Sequence, residues 1–69
     1  MSEIDSLPKL EIEVISRIKK SGKTYADLDR ESGVSRSSIR NYVLSGRVDS
    51  TVNLFKLVEY FGISYTFKS

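Results

Sequence analysis

The sequence predicts an all-α fold: a four-helix bundle in one small domain, with a short strand-like C-terminal tail that would count as a fifth element. Three observations predict it. Apolar residues recur every three or four positions in four separate segments, the period of helices with one buried face. A Ser or Thr stands just before each segment, where its hydroxyl can accept an otherwise unpaired N–H of the first helical turn. A Gly closes each segment, as helix stops commonly require.

The first helix is expected over about 8 to 20, with Ser6 as cap and Pro8 in the first turn, where its missing N–H costs nothing. Leu7, Leu10, Val14, Ile15 and Ile18 form its apolar stripe, Lys19 and Lys20 complement its C-terminal end, and Ser21-Gly22 stops it. Thr24 followed by Asp27 is a capping-box pattern that opens a second helix, about 25 to 32, with Ala26 and Leu28 on one face. Gly33 then suits a left-handed closure, and Ser35 caps a third helix, about 36 to 45. Its inward face is Ile39, Tyr42 and Val43; its outward face carries Ser37, Arg40, Asn41 and Leu44, with Arg36 on the flank. Ser50 caps a fourth helix with Leu54, Leu57, Val58 and Phe61 inward and Gly62 as its end. After it the period changes: Ile63, Tyr65 and Phe67 alternate with Ser64, Thr66 and Lys68, which is a strand pattern. A lone strand leaves its backbone groups unpaired, so this tail either frays or pairs with the same segment of a second subunit. The expected division is a disordered 1–6, a helical domain over 7–62 and a dimerisation tail over 63–69.

Composition narrows the function. At 69 residues, 39% hydrophobic and 29% charged, the chain has room for one core. It has no Cys and no His, which removes disulfides, the Ser-His-Asp and Cys-His nucleophile systems and the usual zinc ligands. No metal or cofactor is expected. The acids Glu11 with Glu13, and Asp27 with Asp29 and Glu31, lie on short helices without a partner base or a Gly-rich phosphate loop, and read as solvated charge; no enzyme is expected. No apolar run approaches the roughly 18 to 20 residues of a membrane span, and Met1 to Pro8 lacks the pattern of a signal peptide, so the expected location is the cytoplasm.

Charge is unevenly distributed. Residues 1–34 carry six bases against seven acids, and residues 35–69 five bases against two acids. Between Ser35 and Val48 lie three Arg and no acid. Such a segment is either the footprint of a polyanion partner or an ordinary solvated basic face.

Two helices joined by a short Gly-containing turn, the second capped by Ser and presenting Arg and Asn outward, are the parts of a helix-turn-helix. The run Thr24 to Tyr42, followed by Leu54 to Ser64, resembles the Cro/C1-type helix-turn-helix family, also called the XRE family. The resemblance covers about residues 7 to 64 and is most specific at Leu28, Gly33, Val34, Ile39 and Tyr42, with Leu54, Leu57, Phe61 and Gly62 closing the bundle. Two positions depart from the family pattern. Asp29 stands where the family usually has Ala or Gly, which predicts a looser crossing of the second and third helices; Tyr25 stands where it commonly has Gln, and a phenol cannot brace a recognition side chain as an amide does.

The resemblance implies sequence-specific binding of double-stranded DNA, with the third helix in the major groove. Arg36 and Arg40 would read guanine O6 and N7, Asn41 adenine N6 and N7, and Ser37 either base. Phosphate contacts are expected from Lys23, Thr24, Tyr25, Ser35, Ser38, Arg47, Ser50 and Thr51, several of them at helix N-termini whose N–H groups favour anions. Val52, Phe55, Tyr60, Ile63, Tyr65 and Phe67 exceed the needs of one small core and form the expected homodimer interface. The run from Val52 to Phe67 is also similar to the C-terminal part of antitoxins that neutralise Hip-type kinase toxins. The function expected is a DNA-binding transcription regulator acting as a homodimer, most simply a repressor; the alternative is an antitoxin that holds a toxin partner and autoregulates its operon.

Overall fold

The structure, a computed structural model, describes residues 6–66. Four helices follow one another: α1 Leu7–Lys20, α2 Tyr25–Ser32, α3 Arg36–Ser45 and α4 Thr51–Phe61. Each starts where a hydroxyl can cap it. The side chains of Ser6, Thr24, Ser35 and Ser50 accept from the N–H groups of Lys9, Asp27, Ser38 and Asn53. Ser6 caps α1 as expected, and α1 begins one residue earlier than expected, at Leu7. Residues 1–5 of the expected disordered N-terminus lie outside the described residues.

α1 packs against α3 and α4, and α2 packs against the same two helices. The core they enclose comprises Leu10, Val14, Ile15 and Ile18 of α1, Leu28 of α2, Ile39 and Tyr42 of α3, and Leu54, Leu57 and Val58 of α4. Three further members come from the connections: Val34, Val48 and Ile63. No helical period marks a loop residue, so these three escaped the stripes. Leu7, placed on the apolar stripe of α1, is instead exposed at the first position of the helix. Val43 and Phe61 are half-buried against the core. No described helix is long and apolar enough to cross a membrane.

The connection between α2 and α3 is short, and Gly33 turns it with φ +81°. Nothing would meet a Cβ there, so the requirement for Gly is conformational and not steric. α2 and α3 pack against each other, and the Asp29 carboxylate accepts the backbone N–H of Arg36 at 3.0 Å, at the start of α3.

The tail also differs from its expectation. Among the described residues there is no strand, and residues 63–66 are irregular. Gly62 N–H donates to Glu59 O at 3.2 Å and Ile63 N–H to Val58 O at 3.0 Å, the paired bonds of a Schellman closure. Ile63 is the apolar residue that accompanies such a closure, and at 7% exposure it is buried in its own chain's core. Its place in the alternating pattern comes from the end of α4 and not from a strand. The assignment of Ile63 to a dimer interface is corrected accordingly. Tyr65 stays exposed, its ring 5.5 Å from that of Phe55; Phe67 lies outside the described residues.

Candidate nucleic-acid interface

α3 is seated from below. Ile39 and Tyr42 are buried, and the Tyr42 hydroxyl accepts from Asn53 Nδ2 at 2.9 Å, which fixes α3 against the first turn of α4. With that face spent on the core, the helical period turns Arg36, Ser37, Arg40 and Asn41 to solvent, and all four are exposed. Ser37, Arg40 and Asn41 make no side-chain hydrogen bond among the described residues. Leu44, on the same outward side, is exposed as well. The result is an acid-free helix face with two guanidinium groups four residues apart.

Arg36 differs from its neighbours. Its Nε lies 3.4 Å from Asp29 Oδ2, the oxygen that also accepts its backbone N–H. Nη1 and Nη2 remain available, and the side chain is 65% exposed. At the first turn the cap is self-contained: Ser35 Oγ accepts from Ser38 N–H at 3.3 Å and bonds to Ser38 Oγ at 2.8 Å.

Beyond the C-terminal end of α3, Arg47 Nε donates to Glu11 Oε1 at 3.0 Å, and the same oxygen accepts the backbone N–H of Val48 at 2.9 Å. Glu11 is buried, which corrects its reading as solvated charge. It stands three and seven residues before Val14 and Ile18, on the inward stripe of α1. An acid in a core-facing position was the available signal, since such a group must find a donor. Arg47 itself remains mostly exposed.

The other residues expected at phosphates are divided. Thr24, Ser35 and Ser50 act as helix caps, Thr51 follows the Ser50 cap, Ser38 bonds to the Ser35 cap, and Tyr25 packs half-buried against the core. Lys23 is committed elsewhere: its Nζ lies 2.5 Å from Glu31 Oε1 and 3.1 Å from the Tyr60 hydroxyl, which in turn donates to Glu31. The hydrogen bonds from Lys23 and Tyr60 hold the Glu31 carboxyl below its usual range, and the bond to Glu31 holds the Lys23 ammonium above its own. The network links the α1–α2 loop, α2 and α4, so Tyr60 also has a use within its own chain. Of the residues expected at a dimer interface, Val52 and Tyr65 are exposed, and Phe55 lies half-buried beside Tyr65.

Neither a curated protein nor a solved structure matches the chain. The helix-turn-helix family model matches residues 15–68, starting within α1 and running through both helices of the motif and α4. The match leaves out Glu11, so the buried carboxylate lies outside the region it covers. With α2, the Gly33 turn, the capped α3 and the closing α4 all inside the matched span, the chain belongs to the Cro/C1-type helix-turn-helix family, a family of DNA-binding transcription regulators.

Proposed function

We propose that the protein is a cytoplasmic, sequence-specific regulator that inserts α3 into the major groove of double-stranded DNA and represses transcription as a homodimer by excluding polymerase. The observation that carries this reading is the exposed, acid-free face of α3 on its buried seat. B-DNA's major groove admits one helix, and a helix whose orientation is fixed by Ile39 and Tyr42 presents the same side chains to successive base pairs. Arg40 and Arg36 suit guanine, Asn41 suits adenine, and Ser37 either. The capped N-termini of α2 and α4, with Thr24, Tyr25, Ser50 and Thr51, and the outer nitrogens of Arg47 serve the phosphates, which set register without carrying sequence information.

The dimer contact is assigned to the outer side of α4, through Val52 and Phe55, with Tyr65 beside Phe55. Two copies then set their α3 helices about 34 Å apart, one turn of DNA. Selection of duplexes from a random pool by the purified chain tests the reading. A palindromic consensus with half-sites one helical turn apart is expected, together with a dimer by sedimentation equilibrium. A chain that enriches no sequence would overturn it.

A further inference from the structure

We infer that Asp29 is a specificity-determining positioning residue, which holds Arg36 to a base edge and away from the phosphate backbone. The inference rests on the reading of α3 as the recognition helix. Arg36 occupies the first position of α3, and a flexible arginine there can reach either a base or the negatively charged backbone. One oxygen of Asp29, from the preceding helix, accepts both its backbone N–H at 3.0 Å and its Nε at 3.4 Å, closing the side chain back onto the α2–α3 junction. That occupies the Nε edge and leaves the Nη1 and Nη2 donors, the pair that can span guanine O6 and N7.

The carboxylate adds to the cap of α3, since Ser35 accepts the N–H of Ser38 and Asp29 that of Arg36. The Arg36 N–H lies at the exposed helix end, where water can replace its acceptor, and an ion pair of this exposure contributes little to stability. What the negative charge does is orient Arg36 and oppose its transfer to a phosphate. It also sets an acid beside a DNA-facing helix, which weakens attraction to any duplex. Asp29 therefore exchanges general affinity for discrimination.

The test uses the full chain, its selected duplex, single-base variants of that duplex and a scrambled duplex. Asp29→Ala is expected to bind the scrambled duplex more tightly, with a salt slope larger by about 1 as Arg36 moves to a phosphate. Preference for guanine at one position should fall roughly fivefold or more. Asp29→Asn, which keeps an acceptor for the backbone N–H, should show the same changes in smaller degree with an unchanged melting temperature. Arg36→Ala should lose preference at that same position, and adding Asp29→Ala to it should change that preference no further. If the wild-type chain selects a site while both Asp29 variants keep full preference at every base, the inference is wrong and the reading of α3 stands. A uniform loss on all duplexes, tracking a lower melting temperature, would also overturn it. A wild-type chain that prefers no duplex overturns both.

Discussion

At each end of α3 one carboxylate oxygen is shared between an arginine Nε and a backbone N–H, yet the two carboxylates stand in different surroundings. Asp29 serves Arg36 at the N-terminal end with its side chain 33% exposed; Glu11 serves Arg47 and Val48 beyond the C-terminal end with its side chain 9% exposed. Water can replace what Asp29 supplies. It cannot easily reach the Val48 N–H, which is buried with Glu11. The same hydrogen-bond pattern is thus orientational at one end and structural at the other, and burial decides which.

The largest effect should come from the turn that supports the exposed end. Gly33→Val places a β-branched residue at φ +81° and is expected to destabilise the domain by on the order of 3 kcal/mol. Circular dichroism should show a melting temperature lower by roughly 10 °C or more, given the size of the domain. Next is the buried end. Glu11→Ala leaves the Val48 N–H without its acceptor and should cost about 2 kcal/mol in urea unfolding. If Asp29→Ala proved as destabilising as Glu11→Ala, the contrast drawn from burial would fail.

The two arginines sharpen the same contrast. Arg47→Ala should weaken all duplexes alike and reduce the salt slope by about 1, since its outer nitrogens are the ones left for phosphate. A loss confined to one base position would move Arg47 into the reading set. The smallest effect belongs to the Lys23–Glu31–Tyr60 network, which is open to solvent. The Glu31 carboxyl is held below its usual range, so whatever it contributes is present above the ordinary carboxylate range and lost as the pH falls through its lowered value. Melting of wild type and Glu31→Gln should therefore differ slightly at neutral pH and converge in acid.

The sequence made the helices legible because caps, apolar period and glycine stops are all local signals. Ser35 before Arg36 and Gly33 before Ser35 mark the turn and the start of α3 without any tertiary information. The outward position of Arg36, Ser37, Arg40 and Asn41 follows from the same period; what they touch does not. Legibility ended where a residue's role depends on a distant element. Val34 and Val48 join the core from loops, Glu11 is tied to a segment more than thirty residues away, and Lys23 is claimed by a glutamate and a tyrosine on two other helices. Ile63 was misread for a different reason. Six alternating residues fit a strand, but the first of them closes α4, and a Schellman turn is commonly followed by an apolar residue at that position. Asp29 lay between these cases: its departure from the family pattern was visible, but its bond to the start of α3 was not.

The central claim is that α3 reads sequence, and Arg40, exposed beyond the buried Ile39, tests it most directly. The measurement is titration of wild type and Arg40→Ala on the selected duplex, its single-base variants and a scrambled duplex at one salt concentration. A loss of about 1–3 kcal/mol on the selected duplex, with preference relaxed at one base position and little change on the scrambled duplex, is the predicted result. Equal losses on the selected and scrambled duplexes would contradict it and reassign Arg40 to the phosphate backbone.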